Sequence, residues 1–90
     1  MNAALETRIR AAGAEMSKPG RWRVALEQLD QATAQILASA DADVHAAQLA
    51  LENLQLLYQW SSVMSSQEFH RLNHAVMQLT ELIAQASAKQ

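Results

Sequence analysis

The sequence predicts an all-α fold, a small antiparallel bundle of three to four helices formed by a single domain over residues 1–90. Its dominant residue types, Ala, Leu, Gln and Glu, favour helix. Only two Gly and one Pro interrupt the 90 residues. Apolar residues recur at spacings of three and four, which places them on one face of a helix. Short connections between such helices favour antiparallel packing.

The first two predicted helices each carry one apolar stripe. A helix over about 3–17 has a narrow stripe: Leu5, Ile9, Ala12 and Met16. Gly13 weakens this helix by about 1 kcal/mol relative to Ala, and residues 17–20, Ser-Lys-Pro-Gly, form a break. A second helix over about 21–39 has a stripe of Trp22, Leu26, Leu29, Thr33 and Ile36. Because its other side is polar, we expect it to cover the core from one side, against one neighbour.

The third predicted helix, about 44–62, is apolar on two sides. Either Asp41 or Asp43 can cap its start, because a short acceptor side chain satisfies free N–H groups there. One apolar face consists of Val44, Ala47, Leu51, Leu54 and Tyr58. A second face, nearly opposite, consists of Leu49, Leu56, Leu57 and Trp60. A helix with two apolar faces needs cover on both, so we expect it to be the central element.

A capping box predicts where the fourth helix begins. The serine-rich residues 61–66 are compatible with either a turn or continued helix. Ser65 is followed three residues later by Glu68, the spacing of a capping box. The helix that follows, about 66–87, has an apolar stripe of Phe69, Leu72, Val76, Leu79 and Ile83.

The charge is unevenly distributed along the chain. Residues 1–23 hold five Lys or Arg and two Glu, whereas residues 24–90 hold two Lys or Arg and seven Asp or Glu. The formal net charge of −2 gives no global indication of nucleic-acid binding. With no apolar signal segment at the start, no run long enough to insert in a membrane and no Cys, we expect a cytoplasmic protein.

Catalytic, metal and cofactor sites are not expected. His70 and His74 have the spacing of two metal ligands on a helix, but they lie opposite the apolar stripe, so we expect a solvated polar face. We also expect His45 to face solvent. The chain has no nucleophile turn of the Gly-x-Ser-x-Gly type, and Gly13 and Gly20 alone cannot form a phosphate-binding loop.

Two functional classes compete with protein binding. The run Leu26 to Asp30 resembles the first helix of the all-helical chorismate mutases, which hold a dicarboxylate with several Arg and Lys. Residues 24–88 contain one basic residue, Arg71, so cations cannot converge on a substrate here. A DNA-binding regulator would use the basic head, residues 8–23, but no short helix pair with a tight glycine turn is present.

The apolar surface exceeds what this small bundle is expected to cover. We expect some of the second face of the third helix, together with Val63 and Met64, to remain exposed or loosely covered. Such a patch indicates a protein-binding surface or a homodimer interface. The alternative is that the first and fourth helices close the bundle completely. The candidate partner-binding residues are Leu49, Leu56, Leu57, Trp60, Phe69, Leu72 and Val76.

The order of these segments resembles the FliT-type flagellar export chaperones. The resemblance covers about residues 5–85 and rests on the runs Gly20 to Trp22, Ala25 to Asp30, Leu51 to Tyr58 and Arg71 to Asn73. It implies a cytoplasmic bacterial helical bundle that binds a flagellar type III secretion client, typically the filament-cap protein, and in some members the export apparatus. The expected function is therefore a chaperone with an apolar helical groove; the alternative is a homodimeric helical adaptor or regulator.

Overall fold

The computed structural model describes residues 3–41 and 43–88 and confirms the all-α bundle. Along the chain, α1 spans Ala3–Met16, α2 spans Trp22–Ala38, α3 spans Val44–Leu56 and α4 spans Ser66–Ala88. Each end of α1, α2 and α4 lies within one residue of its predicted position.

The third helix differs from the prediction because it changes type before its end. Its α-helical part stops at Leu56, and a 3-10 helix spans Leu57–Val63. Met64 then adopts an extended backbone, with φ −76° and ψ 145°, and separates this helix from α4. The serine-rich segment is therefore a short 3-10 end followed by a turn.

The four helices run up, down, up and down, with α2 and α3 in the middle. Both α2 and α3 pack against all three other helices, while α1 and α4 flank them. The expected central position of α3 is correct, but the expectation that α2 needs one neighbour is wrong. Besides its main stripe, α2 buries Ala25 and Ala32, whose small side chains allow a neighbouring helix to approach closely.

The core is continuous across all four helices. It is formed by the predicted stripes of α1 and α2 and by smaller contributions from α3, the 3-10 helix and α4. The buried residues of these last three elements are Ala46, Ala47, Ala50, Leu54, Leu57, Leu72, Ala75 and Leu79. The buried hydroxyl of Thr33 donates to the carbonyl oxygen of Leu29 at 2.8 Å, so the one buried polar residue in the described core is satisfied.

Two glycines have distinct structural roles. A Cβ added to Gly13 would lie 2.5 Å from Asn53 Oδ1, so this glycine lets α1 and α3 approach closely. Gly20 has φ +71°, a left-handed conformation that other residues rarely adopt, and it turns the chain into α2.

Side-chain caps fix the starts of α3 and α4. Of the two candidate caps, Asp43 accepts a hydrogen bond from the Ala46 N–H at 3.0 Å. The predicted capping box is confirmed: the Ser65 N–H donates to Glu68 Oε1 at 2.8 Å, and the Glu68 N–H donates to Ser65 Oγ at 3.1 Å.

Candidate protein-binding surface

The candidate residues divide into exposed, half-buried and buried groups. Leu56 and Phe69 are exposed, at 56% and 40% of their full surface, while Leu49, Trp60 and Val76 are half-buried. Leu57 and Leu72 are fully enclosed in the core. The assignment of these two leucines to a binding surface is wrong, because a partner could reach them only by opening the bundle.

A rotation of the core-facing side of α3 explains the error for Leu57. The prediction places Leu57 on the second apolar face, opposite a first face of which only Ala47 and Leu54 are fully buried; Val44, Leu51 and Tyr58 are half-buried. The structure centres the core-facing side on Ala46, Ala47 and Ala50 together with Leu54 and Leu57. Small alanines bring neighbouring helices close, and the resulting contact line passes through Leu57.

The remaining candidates lie on two different sides of α3. Asn53 faces α1, since its side chain meets Gly13, and Leu49 and Leu56 share that side of the helix at spacings of four and three. Tyr58 faces α4: its Oη donates to Asn73 Oδ1 at 2.6 Å. The apolar surfaces beside α1 and beside α4 are therefore separate along most of the bundle.

The two surfaces approach each other at one end of the bundle, where α3 and the 3-10 helix finish and α4 begins. Leu56, Val63 and Phe69, here called the apolar end, are 56%, 59% and 40% exposed. Leu56 lies three residues beyond Asn53, level with the end of α1 at Met16, which lies three residues beyond Gly13.

An aromatic pair orders the α4 side of the apolar end. The rings of Tyr58 and Phe69 meet edge to face, with centroids 6.1 Å apart and planes at 80°. Burial raises the pKa of Tyr58 above 10.0, so its hydroxyl stays protonated and continues to donate to Asn73. Next to Phe69, a hollow of about 300 Å³ is lined by Met64 and four serines.

Ion pairs surround this end of the molecule. Arg21 Nε and Lys18 Nζ lie 2.7 and 3.4 Å from the carboxylate of Glu15. A hydrogen bond from Arg21 is the largest cause of a lowered Glu15 pKa. Arg23 Nε lies 2.8 Å from Glu68 Oε2, which joins the starts of α2 and α4.

The same arginine also contacts an aromatic ring. The Arg23 guanidinium lies 4.5 Å from the ring centroid of the buried Trp22, a cation–π distance. The pKa of Glu68 is lowered, first by the Ser65 N–H of the capping box and then by Arg23. Glu68 thus combines a helix cap with a link between two helices.

The histidine pair lies elsewhere, on the face between α2 and α4. His70 and His74 are exposed, as is His45 on α3. The rings of His70 and His74 are stacked, with centroids 6.1 Å apart and planes at 11°. They lie in an open depression of about 640 Å³ that Asp30 and Arg71 also line. Among residues 3–41 and 43–88, no three His, Cys, Asp or Glu side chains are grouped as metal ligands.

Within residues 3–41 and 43–88, no helix combines the length and apolar character needed to cross a membrane.

Comparison of the chain with protein-family models, curated proteins and solved structures gives no match.

Proposed function

We propose that this chain is a protein-binding helical bundle that holds an amphipathic helix of a client against its apolar end, as a FliT-type flagellar export chaperone would. The observation that carries the proposal is the exposure of three large apolar residues, Leu56, Val63 and Phe69, on segments that meet at one end of the bundle. Single exposed apolar residues are ordinary, whereas several large ones at one end of a small bundle favour an interaction site.

The charge distribution of the same region supports an interface. Residues 44–63, which form α3 and the 3-10 helix, contain no Lys or Arg and a single carboxylate, Glu52. Depletion of charged residues is the compositional signal of an interface centre. Helix-in-groove recognition needs such an apolar, weakly charged floor.

The competing classes find less support in the side-chain arrangement. A mutase-like enzyme needs several cations around one cavity, and the 640 Å³ depression is lined by one arginine, Arg71, and by Asp30. A DNA-binding head needs several cations for phosphates, yet the formal net charge is −2 and residues 24–88 contain one basic residue, Arg71.

The client class, the cytoplasmic location and contact with an export apparatus rest on the family resemblance. The filament-cap protein from the same genome is therefore the first client to test. Binding is measured by calorimetry for the wild type and for Leu56→Asp and Val63→Asp. Met77→Asp is the matched control, because Met77 is 58% exposed on α4 and lies outside the apolar end.

We expect the two apolar-end variants to weaken client binding at least tenfold and the control to leave it unchanged. Loss of a buried apolar contact of this size accounts for about 1.5–3 kcal/mol. Equal binding by all variants, or no binding by the wild type, contradicts the proposal. Light scattering over a range of concentrations distinguishes the alternative: a dimer that Leu56→Asp dissociates would assign the apolar end to a second copy.

A further inference from the structure

Basic side chains are concentrated at the same end of the bundle as the exposed apolar residues. Lys18 and Arg21 belong to the connection between α1 and α2, and Arg23 belongs to the first turn of α2. The 3-10 helix packs against α2, and Arg23 bonds to Glu68 at the start of α4. The antiparallel order of the helices therefore brings this connection and the apolar end to one end of the molecule.

The cations at this end outnumber the carboxylates that they contact. Lys18 and Arg21 share the carboxylate of Glu15, and Arg23 contacts Glu68, so three cations meet two carboxylates. The three basic side chains keep 49–63% of their surface exposed and remain accessible to a partner. Toward the opposite end lie the carboxylates of Asp41, Asp43 and Glu81.

This arrangement specifies the charge of the partner. We propose that the helix bound at the apolar end is acidic along one margin of its apolar face. Its apolar side chains cover Leu56 and Val63, and its carboxylates reach Lys18 and Arg21. This inference rests on the proposed function and adds the chemistry of the client.

The expected electrostatic effect is modest because the cations are exposed. An exposed ion pair contributes about 0.2–1 kcal/mol, which corresponds to a change in affinity of about 1.5- to 5-fold. Charges at the margin of an interface act mainly on the association rate and on its salt dependence. The apolar contact therefore provides most of the affinity, and the cations provide selectivity between acidic and basic helices.

Two synthetic peptides of about 16 residues test the inference, a length at which an isolated helix begins to be stable. Both carry the same leucine and alanine face, and the margin of that face is glutamate in one peptide and lysine in the other. Calorimetry with the full chain at low salt should show tighter binding of the glutamate peptide. At about 0.5 M salt the preference should largely disappear, because exposed charges are screened.

Substitutions assign the preference to particular cations. Lys18→Gln and Arg21→Gln should each weaken binding of the glutamate peptide about threefold and leave the lysine peptide unchanged or slightly tighter. Arg8→Gln removes the same charge from α1 at a position that bonds Gln35, toward the other end, and should have no effect. A thermal melt of each variant confirms that the fold is retained.

The outcomes separate this inference from the proposed function. Equal binding of the two peptides, or preference for the lysine peptide, overturns the acidic-partner inference while apolar-end binding stands. If neither peptide binds the folded wild type, both proposals fail. Binding of both peptides that Leu56→Asp does not weaken overturns both, because the contact then lies elsewhere.

Discussion

The substitution Gly13→Ala tests the close contact between α1 and α3. In an isolated helix this change is stabilising by about 1 kcal/mol, because Gly is the poorest helix former apart from Pro. In this bundle the added Cβ would lie 2.5 Å from Asn53 Oδ1, whereas nonbonded heavy atoms normally sit about 3.5 Å apart. The two effects have opposite signs, and the contact should decide the outcome.

The free-energy cost of the close contact depends on how far the Asn53 side chain must move and which hydrogen bond it loses. Its Oδ1 has to retreat by about 1 Å, and the amide is held by a hydrogen bond from Nδ2 to the Leu49 carbonyl oxygen at 2.8 Å. Losing that bond costs about 0.5–1.5 kcal/mol if the amide moves, and overpacking costs about 1–3 kcal/mol if it stays in place. After the gain in helix propensity, Gly13→Ala should destabilise the protein by about 1 kcal/mol.

A double-mutant cycle isolates this contact. In an Asn53→Ala background the obstacle is absent, so Gly13→Ala should stabilise by about 1 kcal/mol. The coupling between the two positions is then about 2 kcal/mol, measured by urea unfolding, and each single step shifts Tm by about 4–8 °C. If Gly13→Ala stabilises both backgrounds equally, the Asn53 side chain moves aside at little cost and the reasoning about this contact is refuted.

Three further predictions test local features of the fold. Gly20→Ala should lower the unfolding free energy by about 1–2 kcal/mol because φ is +71°, and Gly20→Asn should cost less; an unchanged stability contradicts the left-handed turn. Leu57→Ala should cost about 2–5 kcal/mol and Leu56→Ala under about 0.5 kcal/mol in urea unfolding; equal losses contradict their different burial. Because the folded-state pKa of Glu68 lies below 4.5, its stabilisation exists above that pH and disappears as the pH falls through the lowered pKa. The stability difference between wild type and Glu68→Gln should therefore shrink from about pH 5 to pH 3; a constant difference contradicts the Ser65 and Arg23 contacts.

Local patterns were sufficient to predict the fold class and most helix ends. The stripes of α1 and α2 are buried as predicted, because spacings of three and four determine one face without reference to any partner. The capping box of Ser65 and Glu68 needs only neighbouring residues, so it could be read directly from the sequence.

The orientation of α3 could not be predicted from its own pattern. Apolar residues occupy so much of its circumference that periodicity alone leaves several core faces equally acceptable. The three alanines at positions 46, 47 and 50 decide the face through close packing with neighbouring helices, which is a tertiary effect. For the same reason, Leu57 was assigned to a binding surface. The change from α-helix to 3-10 helix after Leu56 could not be predicted either, because no local sequence pattern indicates it.

Two adjacent leucines at the end of α3 differ in role: one belongs to the core, and the other is available for binding. Leu56 and Leu57 are adjacent in sequence, yet Leu57 is fully buried and Leu56 is 56% exposed. The connection between α1 and α2, residues 17–21, lies at this end of the bundle and carries Lys18 and Arg21. This connection thus places cations at the end of the bundle where Leu56 is exposed, so substitutions of Lys18 and Arg21 should change partner binding with little effect on the core.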